Sequence, residues 1–165
     1  MTSAPIKTEL PFAKAFWELR VYQKARALQG QLFKASQAFP ADERFSLTDQ
    51  MRRACRSIGA QVAEAWGKRD YLKHFQSKLS DAESENLETR HWLITAVDDG
   101  HLSPELAKPL FQTSLEIGRM LASMSERAVE FCPNWKSPTL GEPSLEFFTT
   151  PEPSTDFPNS LSTEH

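Results

Sequence analysis

Residues 46–67 read SLTDQMRRACRSIGAQVAEAWG. Within them Leu47, Met51, Ala54, Ile58, Val62 and Trp66 recur at steps of four, three, four, four and four. An α-helix gathers residues so spaced onto one face, whereas a strand would alternate every second residue. Ser46 with Asp49 has the form of a capping box, in which a hydroxyl and a carboxylate satisfy open amides of the first turn. Gly67 offers a C-terminal stop. The stretch is predicted to be an amphipathic helix whose stripe needs a partner surface.

The flanking sequence supplies three more such stripes. Upstream, a helix is predicted from Pro11 to Phe39. Phe12, Phe16, Leu19, Ala27/Leu28, Leu32 and Phe39 form its stripe, and Trp17, Val21, Tyr22, Ala25 and Phe33 widen it. Phe39-Pro40 ends it, because the residue before a proline is pushed out of the α region. Downstream, Asp70 is placed to cap a third helix with Leu72, Phe75, Leu79, Ala82, Asn86/Leu87, Leu93, Ile94 and Val97 inside. Asp98-Asp99-Gly100 ends it. Ser103-Pro104 opens a fourth helix, with serine as cap and proline where its missing N–H costs nothing. Leu106, Leu110, Thr113, Ile117, Met120/Leu121, Met124, Ala128 and Phe131 carry its inner face, and Cys132-Pro133 closes it. Pro109 conflicts with the helix interior around it. Short links between long helices force antiparallel neighbours. The fold expected is therefore all-α: an antiparallel up-down-up-down four-helix bundle over residues 11–132, after a flexible N-terminus at 1–10.

The chain has 165 residues and a net charge of −3, a length that suits one domain. Residues 133–165 hold one cation, Lys136, against Glu142, Glu146, Glu152, Asp156 and Glu164, and they contain six of the eleven prolines. This segment is expected to be an acidic, Pro-rich disordered tail, so the body is near neutral. No apolar run approaches the roughly 18 residues of a membrane helix, and no secretory signal pattern opens the chain. Two cysteines, Cys55 and Cys132, make neither a disulfide framework nor a zinc motif. A cytoplasmic protein without membrane contact is expected.

Catalytic patterns are missing. There is no Gly-rich phosphate loop, and His74, His91, His101 and His165 are scattered with no HExxH or ExxH. Cys55 lies one step from the inner stripe and reads as a packed thiol. The expectation is a non-enzyme with no cofactor and no metal. Charge patterning says more. Arg52, Arg53, Arg56, Lys68, Arg69, Lys73 and Lys78 face only Glu64 and Asp70, a balance of +5. Residues 81–105 then carry seven acids against Arg90, a balance of −6. One reading is ion pairing between helices or subunits, with the Arg52-Arg53-Arg56 end beside the acidic end of the third helix. The other is a phosphate-binding patch of Arg52, Arg53, Arg56, Lys68, Arg69 and Lys73 for RNA or a nucleoprotein. Gly59, Ala60 and Ala63 form a small-residue face where another backbone can come close, from the same chain or from another subunit. Glu64, Glu83, Asn86 and Arg90 interrupt or flank the stripes and are expected to pair with one another.

Gln50-Met51-Arg52-Arg53-Ala54, Ser57-Ile58, Val62-Ala63-Glu64, Lys68-Arg69 and Leu79-Ser80-Asp81-Ala82-Glu83 carry a resemblance. So do Phe16-Trp17-Glu18-Leu19-Arg20-Val21-Tyr22 and Asp99-Gly100-His101-Leu102. Together they resemble the bacterial four-helix-bundle family encoded in intervening sequences of large-subunit ribosomal RNA genes. That group includes the accessory protein of diversity-generating retroelements. The resemblance spans about residues 12–130. It implies an up-down bundle that assembles as a homopentamer, and together with the small-residue face it leads to the expectation of an interaction scaffold. For the retroelement branch it implies binding to a reverse transcriptase and to nucleic acid through a basic surface.

Overall fold

Four long helices carry the fold: α1 Arg20–Ala35, α2 Leu47–Gly67, α3 Leu72–Asp98 and α4 Pro104–Glu126, followed by a short α5, Ala128–Phe131. They are seen in a computed structural model that describes residues 13–134. No strand occurs among the described residues. Helix α1 packs against α2 and α4, and α3 packs against the same two. The stripe of α2 points into the centre as its spacing requires: Met51, Ile58 and Val62 are fully buried, with Leu28 of α1, Phe75 of α3 and Ile117 of α4.

The first helix starts later than expected. Residues Phe16–Glu18 form a 3-10 turn, and Leu19 then takes an extended backbone, ψ 126°. This reversal sets the Phe16 ring edge-on against Tyr22, 5.0 Å between centroids. A continuous helix would carry the two rings apart. The predicted start at Pro11 lies outside the described residues, as do the flexible N-terminus and the acidic tail. At the other end α1 stops at Ala35, before Phe39. A 3-10 turn at Ser36–Ala38 replaces the last helical turn.

Three caps also differ from expectation. Ser46 does not cap α2 through its side chain; its hydroxyl donates to the Glu43 carboxylate. That carboxylate also accepts the Leu47 N–H at 3.2 Å. Glu43 comes from the preceding 3-10 turn, Ala41–Phe45, and does the work assigned to Asp49. Gly67 is the last helical residue and Lys68 the cap. Tyr71, not Asp70, precedes α3, and Asp70 instead accepts from Asn134 Nδ2 at 2.9 Å. Ser103 does cap α4, accepting the Leu106 N–H at 3.4 Å, with Pro104 in the first turn. Gly100 sits at φ 74°, a conformation with no steric cost for glycine. It lets His101 and Leu102 both donate to Ala96 O at 2.9 Å. The fourth helix breaks at Arg127 instead of running on to Cys132.

Some stripe residues point outward. Leu87 and Ile94 on α3 and Leu106 on α4 are 53%, 50% and 60% exposed. Asn86 and Leu93, one position earlier than the α3 pair, take the inner places. Adjacent residues on a helix lie about 100° apart, so only one of each pair can face the core.

Candidate functional site

The basic segment does not form one patch. Arg52 and Lys68 are separated by sixteen helical steps, about 24 Å along α2 at ~1.5 Å each. At the first end, Arg52 donates to the buried Ser36 hydroxyl at 2.8 Å and lies 4.7 Å from the Phe33 ring centre. Arg53 pairs with Asp49 on its own helix at 3.8 Å. At the other end, Arg69 donates to Trp66 O at 2.7 Å and stacks 3.5 Å over the Trp66 ring. Lys68 is exposed at the cap of α2, and Lys73 is exposed on the first turn of α3.

The hairpin's opposite charges meet at one place. Lys78 of α3 pairs with Glu64 of α2 at 2.8 Å and with Asp81 at 3.2 Å. These partners hold the Lys78 ammonium above its ordinary pKa. The predicted pairing of Arg52, Arg53 and Arg56 with the acidic end of α3 is realised only as a field. The Arg53 charge reaches Glu85, and it is outweighed there by burial and by Glu88 and Asp81, which push the Glu85 carboxyl up.

The small-residue face resolves in part within the chain. Gly59 is buried, and a Cβ placed on it would sit 3.6 Å from Tyr22. Ala60 is exposed and Ala63 half-buried. All three line a shallow groove of about 370 Å³ between α1 and α2, whose rim carries Arg26 and Arg56. Arg26 was missed by the charge reading because it lies on the first helix, outside the basic run.

The expected polar network exists without Glu64. Asn86 is fully buried on α3. Its amide donates to Glu83 at 3.0 Å and to Ser114 O on α4 at 3.0 Å. Its carbonyl accepts from the Ser114 hydroxyl at 2.7 Å. Arg90 closes the set on Glu83 at 2.9 Å. Gly118 makes room for it, since a Cβ there would lie 3.1 Å from both Glu83 oxygens. The network ties two helices together, and its Glu83 and Gly118 line a shallow cavity of about 290 Å³ between α3 and α4.

Neither cysteine is poised as a nucleophile. Cys55 and Cys132 are free and buried, and burial pushes the Cys55 thiol up to about 12. Among the described residues no three of His, Cys, Asp and Glu gather as metal ligands would. None of the described helices is long and apolar enough to cross a membrane.

No curated protein matches this chain. Among solved structures, a protein with unknown function from the S23 ribosomal protein family of Bacteroides thetaiotaomicron VPI-5482 has a similar fold. Its TM-score is 0.59 at 24% identity, over 64% of this chain and 98% of that one. Residues 17–123 match the 23S rRNA-intervening sequence proteins, a span that takes in all four long helices but the last turn of α4. The same span holds the polar network and both ends of the basic segment, and over it the chain belongs to the 23S rRNA-intervening sequence protein family.

Proposed function

We propose that this chain is a non-enzymatic scaffold: an up-down-up-down four-helix bundle that assembles with copies of itself, in the pentamer that its family resemblance implies. The observation that carries this reading is the outward apolar surface of α3 and α4. Leu87 and Ile94 lie seven residues apart on one face of α3, and each is half exposed or more. Beside Ile94 an apolar groove of about 260 Å³ is lined by Val97, Ala107 and Phe111. Large side chains grouped in this way mark association surfaces, whereas scattered ones do not. The RNA-binding alternative has less support, since Arg52, Arg53 and Arg69 of its six cations are engaged inside the chain. Light scattering of the purified protein at micromolar concentration tests the scaffold. The expected result is a discrete multimer. A monomer overturns the reading.

A further inference from the structure

The seam between α1 and α4 is built unlike the others. Leu19 leaves the helical path, and the turn before it packs toward α2. Helix α1 therefore has only 16 residues against 23 in α4. The C-terminal half of α4 loses its cover. Two adjoining cavities of about 420 and 330 Å³ result, sharing Arg20 and Met120 as lining residues. Together they run along α4 from Thr113 to Arg127, about 21 Å at ~1.5 Å per residue.

The lining of this groove is apolar below and cationic at the rim. Val21, Met120, Met124 and Phe131 form its floor. Arg20, Lys24, Arg119 and Arg127 stand around it, and Glu116 is its one carboxylate. Lys24 already neutralises Glu116 through a direct ion pair. Arg127 is shared with Glu130 at 3.6 Å. The Arg20 side chain makes no ion pair or hydrogen bond among the described residues.

The complementary surface lies on the same molecule, on α3. Its outer arc carries Leu87 and Ile94 with Glu88 and Asp98 alongside, all exposed. From residue 81 the acids there outnumber the cations. On the same helix Glu85 is held above its usual range, first by burial and then by the neighbouring charges of Glu88 and Asp81. The arc cannot reach the groove of its own molecule, because α3 packs against α2 and α4 and lies across the bundle from α1.

We infer that the α1–α4 groove receives the Leu87–Ile94 arc of α3 from a second copy of this chain. The apolar residues then enter the groove floor, and Glu88 and Asp98 meet the arginine rim. Such a contact uses two different patches, so each copy offers one groove and one arc. Repeated head to tail it closes into a ring when the rotation per copy allows. This inference rests on the scaffold reading and gives that reading a specific interface.

Two variants and their mixture test it. Arg119→Glu with Met120→Glu disables the groove and spares the arc. Leu87→Glu with Ile94→Glu disables the arc and spares the groove. All four positions are exposed or half-buried, so circular dichroism should show both variants as helical as the parent. Each variant alone is expected to be monomeric by light scattering. Mixed in equal amounts they are expected to form a 1:1 heterodimer, because one intact groove still meets one intact arc. In 0.5 M NaCl that heterodimer should weaken at least tenfold. A parent protein that is itself monomeric overturns the scaffold reading. A multimeric parent whose groove variant stays multimeric, or two monomeric variants that fail to combine, overturns the groove–arc contact alone.

Discussion

Asn86→Ala would remove the centre of the network between α3 and α4. Three hydrogen bonds disappear: two donated by the Asn86 amide at 3.0 Å and one accepted from Ser114 at 2.7 Å. The Ser114 hydroxyl is fully buried and would be left with no acceptor from Asn86. A buried polar group stripped of its partner costs about 1–3 kcal/mol. The space vacated by a fully buried side chain adds a cavity cost on top. The expected loss is therefore ~2–4 kcal/mol, or roughly 8–16 °C in Tm for a domain of this size. Ser114→Ala should cost less, since it removes a single hydroxyl. The double variant should lose about 1 kcal/mol less than the sum, because both changes break the same bond. Urea unfolding followed by circular dichroism, at one fixed protein concentration, measures all three. A loss under ~0.5 kcal/mol for Asn86→Ala, or strict additivity, would refute the network as a structural tie.

Two further outcomes follow from burial. Ile58→Asp places a charge where the side chain has 0% exposure, so a loss above about 4 kcal/mol is expected. No cooperative melting transition should then remain, and an unchanged Tm would show that the α2 register is wrong. Cys55 should resist thiol reagents at pH 8 in the folded protein and react fully in denaturant, as absorbance with a chromogenic disulfide would show. Its folded pKa is raised to about 12, above the roughly 8.5 of a free thiol. The unfolded chain therefore loses the proton first as pH rises. The stability tied to that proton is complete below pH ~8.5 and falls away toward pH 12. Rapid labelling of the native protein would contradict the packing around α2.

The network and the caps show where local pattern stops being informative. Asn86 and Leu87 are neighbours in a stripe, and periodicity alone placed both at the inner edge. Only the position of α4 selects Asn86, because Ser114 and Gly118 stand opposite it and can hydrogen-bond it and make room. Glu43 caps α2 from outside the capping-box spacing, since a 3-10 turn carries it back over the first amides. Arg26 joins Arg56 on one groove although thirty residues separate them in the sequence.

The sequence by itself determined the number of long helices, the inward stripe of α2, the Ser103-Pro104 start of α4 and the membership of Glu83, Asn86 and Arg90 in one polar cluster. Those features depend on spacing within a single helix, where 3.6 residues per turn fixes what shares a face. Tertiary structure alone decided that Leu19 breaks α1 and that Gly59 faces Tyr22. It also split the cations of the basic segment between two distant ends, left Leu87 and Ile94 exposed on α3, and opened a basic groove elsewhere, between the short α1 and α4. These depend on where separate helices come to rest, and that is set by packing between residues far apart in the chain.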